Sequence, residues 1–93
     1  MNKKILGITV ILIVCFTVVA FAQSSTWRGT GQIINADTFD IITTFDLRTS
    51  GGASNEGVAK VNIRMQLGFP ANNDVRTVSG VNQRIIWISV ERE

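Results

Sequence analysis

Histidine and tyrosine are absent from this chain, and cysteine and proline each occur once, as Cys15 and Pro70. Without histidine there can be no Ser-His or Cys-His pair, and the side chain that most often carries protons near neutral pH is missing. A single cysteine cannot form an intramolecular disulfide, so a cross-linked small scaffold is excluded. These absences argue against an enzyme, and we expect no catalytic residue, no metal site and no cofactor.

The longest apolar stretch stands at the N-terminus. Two lysines precede an unbroken apolar run from Ile5 to Ala22, which closes on the sequence Ala-Phe-Ala. A positive start, an apolar stretch and a small-x-small ending are typical of a signal peptide. The pattern predicts a signal peptide over residues 1–22 and a single small domain over residues 23–93. An uncleaved membrane anchor is one alternative, because a run of this length is at the lower limit for spanning a bilayer. An acylated Cys15 is the other.

Cleavage would change what the composition implies. The whole chain has nine basic and seven acidic residues and a formal net charge of +2. Lys3 and Lys4 leave with the signal peptide, so seven basic residues remain against seven acidic ones and the net charge is zero. A neutral domain has no electrostatic attraction to nucleic acid or to an anionic membrane. We therefore expect an exported protein, periplasmic or extracellular, that binds neither. The short lysine-led signal and the absence of an Asn-x-Ser/Thr acceptor agree with a bacterial host.

From Trp27 onward, apolar and polar residues alternate with a period of two, which is typical of half-buried strands. The alternation predicts strands at about 26–34, 38–48, 58–69, 75–79 and 84–91. The expected fold is all-β: a five-stranded antiparallel meander or a small, partly open barrel. The polar segment 49–57 contains three glycines and is predicted to be a mobile loop without an apolar anchor.

Two glycines on the predicted inward face of the first strand suggest a ligand site. Gly29 and Gly31 stand beside Trp27 on that face, and the second strand adds Phe45. Missing side chains at two successive inward positions would leave a strip able to admit a small apolar or sugar-like ligand. The strip would be lined by Trp27, Phe39, Ile41 and Phe45. The alternative is that the glycines let the sheet bend and let another segment lie across the backbone.

The last predicted strand is apolar on both faces. With Ile86 and Ile88 assigned inward, the residues Val78, Ile85 and Trp87 are predicted to form an outward patch. Such a cluster seldom stays in contact with water, so we expect a second copy of the chain or an envelope protein to cover it. The alternative is that the N-terminal segment of the same chain folds over it.

These features predict an exported β-domain that acts as a binding or protein-interaction module in the cell envelope or outside the cell. The alternative is a structural envelope protein that self-assembles through its sheet edges or an apolar face. A calcium site formed by Asp37 and Asp40 with the turn Asn72-Asn73-Asp74 is a further alternative, although Asn and Asp are ordinary turn residues.

Overall fold

The computed structural model describes residues 24–93, which form one open, four-stranded antiparallel sheet with a helix against one face. The elements are β1 (Trp27–Asn35), β2 (Ile41–Arg48), α1 (Glu56–Gln66), β3 (Val75–Val78) and β4 (Val81–Arg92). The strand order is β2-β1-β4-β3, so the two longest strands are central. The predicted all-β, antiparallel character is confirmed in this coarse form, with four strands in place of five. The predicted signal peptide lies outside the described residues.

The predicted strand over residues 58–69 is wrong, because residues 58–66 belong to α1 and the last three residues follow the helix. Ala59 and Ile63 lie one helical turn apart and are both fully buried. Val61 and Met65, which the alternation placed on the same inward face, are exposed. A period of two also contains every i, i+4 pair that a helix buries, so the apolar residues of this segment fit both patterns.

Local signals at both ends of α1 explain why the helix forms. The side chain of Asn55 accepts a hydrogen bond from the backbone N–H of Val58 at 2.9 Å, as an N-cap residue does. At the other end, Gly68 has a left-handed backbone with φ of 83°. Gly68 and the next residue donate to the carbonyls of Met65 and Arg64, which is the Schellman arrangement.

The helix carries the chain from one edge of the sheet to the other. It leaves the edge strand β2, packs against β1 and β4, and delivers the chain to β3 at the opposite edge. Ser79 and Gly80 then form the tight turn into β4, both with positive φ, as a two-residue hairpin of this hand requires. The predicted meander is therefore replaced by a sheet in which β4 lies between β3 and β1. Within residues 24–93, no helix has the length and apolar character needed to cross a membrane.

Two β-bulges change which side chains face the helix. In β4 the partners of Thr30 and Gly31 are Ser89 and Trp87, so Ile88 is an extra residue. In β2 the extra residue is Ile42. A bulge reverses the alternation on one side of itself, so strict alternation misassigns part of both strands.

Two apolar clusters fill the space between α1 and the sheet. The larger one consists of Ile33, Phe45, Ile63, Phe69 and Ile85, with Leu47, Leu67 and Trp87 packed against it. The smaller one consists of Trp27, Ala53 and Ala59, with Val90 beside it. The inward assignments of Trp27, Ile33 and Phe45 are thus confirmed.

The segment after β2 is anchored, contrary to the prediction of a mobile loop. Ala53 is only 1% exposed and its backbone pairs with Ser25. The indole N–H of Trp27 donates to the Ala53 carbonyl at 3.0 Å, and the backbone N–H of Trp27 donates to the Thr49 hydroxyl at 3.1 Å. Trp27 therefore ties this segment to β1.

Candidate interaction surface

Trp27, Gly29, Gly31 and Phe45 lie together on the inner face, but the protein itself fills the predicted ligand strip. Ile41, which was predicted to line the strip, pairs with Ile34 and lies on the opposite face. A β-carbon added to Gly29 would lie 2.5 Å from Cδ1 of Ile63. One added to Gly31 would lie 2.6 Å from Cζ of Phe45 and closer still to the backbone oxygen of Ile86. The glycines let the helix and the Phe45 ring approach the backbone closely. The expectation that this strip beside Trp27 stands open is wrong.

The predicted outward patch of Val78, Ile85 and Trp87 is also not assembled. Ile85 pairs with Ile33 in the sheet, shares its inner face and is 2% exposed. Trp87 is half-buried on the same inner face, and Val78 is exposed on the edge strand β3. The prediction is wrong because it did not include α1, which covers the face of the sheet on which Ile33 and Ile85 lie.

Trp87 lies in the middle of the contact between α1 and the sheet. Its ring meets that of Phe45 edge-on, with centroids 5.6 Å apart and planes at 86°. The cationic groups of Lys60 and Arg64 lie 5.5 Å and 5.7 Å from the ring centroid. The indole N–H donates to Asp74 at 3.2 Å. Trp87 therefore holds helix and sheet together and is not available as a docking residue.

Asp74 completes this cluster by accepting a second hydrogen bond, from Nε of Arg64 at 2.7 Å. Burial alone would raise the pKa of Asp74, but the hydrogen bonds from Arg64 and Trp87 outweigh it and hold the pKa below its usual value. Asp74 is thus engaged in the helix–sheet contact, whereas Asp37 accepts from Asn82. Among residues 24–93, no group of three His, Cys, Asp or Glu residues could hold a metal ion.

The opposite face of the sheet carries Ile41 and Ile86, which pair with Ile34 and Gln32 and are exposed. Three further exposed apolar residues adjoin them in the chain: the bulge residues Ile42 and Ile88, and Phe39 in the turn between β1 and β2. Phe39 is 75% exposed and Ile88 is 67% exposed. We refer to these five residues as the outer apolar patch. Sequence reasoning missed this patch because it assigned Phe39, Ile41, Ile86 and Ile88 inward, although two adjacent isoleucines, as at 41–42, necessarily supply both faces of a regular strand.

Ile34 lies beneath the outer apolar patch. It is 8% exposed, yet it belongs to neither inner cluster because it points away from the face used by Ile33. Its partners across the sheet are Ile41 in β2 and Arg84 in β4. On the outer face, this row therefore runs from Ile41 in β2 through Ile34 in β1 to the charged side chain of Arg84 in β4.

A hydrogen-bonded turn holds Phe39 in solvent. The Asn35 side chain accepts from the backbone N–H groups of Asp37 and Thr38, at 2.9 Å and 3.2 Å. The Phe39 N–H donates to the Asn35 carbonyl at 2.7 Å, and the Asn35 N–H donates to the Asp40 carbonyl at 2.8 Å. Phe39 has φ of 66°, a left-handed conformation that bulky side chains rarely adopt. These hydrogen bonds fix the backbone that carries the exposed ring, at a conformational cost.

Charges differ between the two ends of this face. At the end near Ser24 and Glu93, Arg28 pairs with Asp46, and this bond is the main cause of the lowered pKa of Asp46. At the patch end stand Arg84, Asp37 and Asp40, and the ion pairs found within residues 24–93 include none of these three. The patch is therefore bordered by charges of both signs that are open to a partner.

The sheet edges are less available than the face. β3 has only four residues. In β2, the bulge at Ile42 interrupts the regular ladder, and the Arg48 carbonyl accepts from the Gln66 side chain at 2.9 Å. Short strands and bulges discourage the addition of a further strand, and a carbonyl that already accepts a hydrogen bond is less available to one.

Comparison with known proteins assigns this chain to no family. No protein-family model, no curated protein and no solved structure matches it. The surface itself is therefore the basis for a functional proposal.

Proposed function

We propose that this chain is an exported interaction module that binds a protein partner through its outer apolar patch. The observation that carries this proposal is Phe39, an exposed aromatic ring held out by a hydrogen-bonded turn beside Ile41 and Ile42. Aromatic anchors surrounded by aliphatic side chains dominate the binding energy of many interfaces. Export, to the periplasm or the medium, rests on the predicted signal peptide over residues 1–22.

Binding is better supported than catalysis. Residues 23–93 contain no histidine, cysteine or tyrosine. The carboxylates of Asp46 and Asp74 are held in ion pairs. The strip beside Gly29 and Gly31, which was predicted to admit a small ligand, is filled by Ile63 and Phe45. The described surface also exposes apolar side chains, which a protein partner can cover.

Open-ended assembly through the sheet edges is the weaker alternative. It would require β2 or β3 to accept another strand. In β2 the bulge at Ile42 and the hydrogen bond from Gln66 to the Arg48 carbonyl oppose this, and β3 has only four residues. A structural envelope protein built in this way would use its edges, whereas the apolar surface here is on the face.

The test is site-specific photo-cross-linking in cells that naturally make the chain. A photoreactive amino acid replaces Phe39, and a matched variant carries it at Gly51, which is exposed and has open space around it. We expect a discrete protein adduct from position 39 and none from position 51. Absence of an adduct at 39, or equal adducts at both positions, would refute an interaction surface at the patch. The intact mass of the same protein tests export, since a mature chain beginning at Gln23 is expected and a mass for residues 1–93 would contradict it.

A further inference from the structure

We infer that the partner of the outer apolar patch is a second copy of this chain, packed face to face about a two-fold axis. This inference rests on the proposed function, because it names the partner of the same surface. It follows from the size of the patch, from the charges at its border and from the geometry of an open sheet.

The patch has the size that one side of a stable dimer needs. A standard interface buries about 800 Å² per partner, somewhat more than half of it apolar. The five large apolar side chains of the patch range from 38% exposed at Ile86 to 75% exposed at Phe39. Together they expose several hundred Å² of apolar surface, which is on the order of the apolar area on one side of such an interface. The other exposed apolar side chains of residues 24–93 form smaller groups: Val58, Val61 and Met65 on α1, and Val78 and Val81 at the hairpin of β3 and β4.

The charges at the patch permit contact with a copy of itself. A two-fold axis brings the same surface of each chain into contact, so a surface with charges of one sign would repel its copy. Here Arg84 lies within the row of Ile34, and Asp37 and Asp40 lie at the adjacent turn, so each copy offers both signs to the other. The predicted zero net charge of residues 23–93 removes long-range repulsion as well.

The geometry of the sheet favours a closed pair. Two open sheets stack about 10 Å apart, with their facing side chains interdigitated. An axis through the patch would place the Phe39 ring of one copy toward Ile88 of the other. Both helices and all four sheet edges would then stay on the outside. Because each copy buries its outer apolar patch in this contact, assembly would stop at two chains.

The test uses residues 23–93, which contain no cysteine, so that introduced cysteines report proximity cleanly. Gln32 lies in the centre of the outer face, between Thr44 and Ile86. In a glutathione redox buffer, Gln32→Cys should form disulfide-linked dimers about tenfold or more in excess of Val61→Cys on the exposed side of α1, because a dimer raises the effective concentration of the facing thiols. Equal linkage at both positions, or linkage only at 61, overturns the assignment of the dimer to this face.

Sizing chromatography provides the second measurement. The unmodified domain should elute with the mass of two chains, Ile88→Lys with the mass of one, and the control Val61→Lys with the mass of two. Because Ile88 is largely exposed, its substitution should leave the denaturation midpoint of the single chain unchanged. A dimer that survives Ile88→Lys, or a domain that is monomeric at millimolar concentration, overturns the inference.

The photo-cross-linking experiment at position 39 separates failure of this inference from failure of the proposed function. An adduct with twice the mass of the mature chain supports both. An adduct with a different protein keeps the interaction surface but overturns the second copy as its partner. An internal link to residues 1–22 in the full chain shows that this segment covers the patch, and it overturns both, as does the absence of any adduct.

Discussion

The two faces of this sheet differ in how completely their side chains are covered by the rest of the domain. On the inner face, α1 covers two apolar clusters, and the indole N–H groups of Trp27 and Trp87 each reach an acceptor, the Ala53 carbonyl and Asp74. Over residues 24–93, no buried side-chain nitrogen or oxygen lacks a hydrogen-bond partner. On the outer face, isoleucines and a phenylalanine remain in solvent.

This difference separates stability from binding in one small domain. Side chains on the inner face pack against α1 and against each other, so truncating them removes these contacts and should lower the free energy of unfolding. Side chains of the outer apolar patch have few neighbours within the chain, so their substitution should change association while the fold stays intact.

The largest effect is expected at Phe45, which is buried and contacts Trp87. Phe45→Ala should lower the free energy of unfolding by about 3 to 5 kcal/mol, because it removes buried apolar area and leaves a cavity. A loss of this size is comparable to the whole net stability expected of so small a domain. Denaturant titration measures it.

The matched control is Thr44→Ala, one residue away on the outer face of the same strand. It should change the free energy of unfolding by no more than about 0.5 kcal/mol. Equal losses for the two variants would show that the faces of β2 are assigned wrongly.

A smaller loss is expected at Gly31. A β-carbon there would meet the backbone oxygen of Ile86, which cannot move without shifting β4. Gly31→Ala should therefore cost about 1 to 3 kcal/mol, as overpacking does. Gly29→Ala should cost less, because the atom it meets is the terminal Cδ1 of Ile63, which can rotate. A denaturant series in which Gly29→Ala is the more damaging variant would contradict the described packing of α1.

The Asp74 cluster predicts how the inner face responds to acid. The pKa of Asp74 is lowered in the folded state, since the bonds from Arg64 and Trp87 favour the carboxylate over the effect of burial. Its contribution to stability is therefore complete above its ordinary pKa near 3.8 and is lost as the pH falls through the lower, folded value. Asp74→Asn should be less stable than the unmodified domain at neutral pH but lose less stability between pH 5 and pH 2, in denaturant melts repeated across that range. An equally steep decline in both proteins would show that other carboxylates control the acid response.

The strands β1 and β2 were predictable because their alternation is strong and one face is buried. The inward positions of Trp27, Ile33 and Phe45 followed directly from the period of two. The helix was missed because Ala59 and Ile63 satisfy a period of two as well as a helical turn, and the cap residues Asn55 and Gly68, which distinguish the two, were not weighed.

The outer apolar patch was harder to predict than the core. Its position depends on the bulges at Ile42 and Ile88, and a bulge is a property of how two strands pair, which no single strand records. Once α1 covers the face of Ile33, the neighbours Ile85 and Trp87 must face inward, and Ile86 and Ile88 are left outside. The apolar content of the last strand was thus recognised correctly, while the face it exposes was not.

The smallest effect on the fold, and the one most informative about the outer face, is expected at Phe39. A left-handed backbone costs an ordinary side chain about 1 to 2 kcal/mol, and asparagine tolerates this conformation better than phenylalanine. In solution dilute enough to dissociate the proposed dimer, Phe39→Asn should leave the free energy of unfolding unchanged or raise it by about 0.5 to 1 kcal/mol. Phe39→Val removes the same ring but adopts this backbone poorly, so it should lower stability and serve as the control. At high concentration the order of the unmodified domain and Phe39→Asn should reverse, because dimer formation stabilises only the chain that keeps its ring. Denaturant melts across a range of protein concentrations measure this crossing, and an advantage for Phe39→Asn that persists at every concentration would mean that the exposed ring has no role in association.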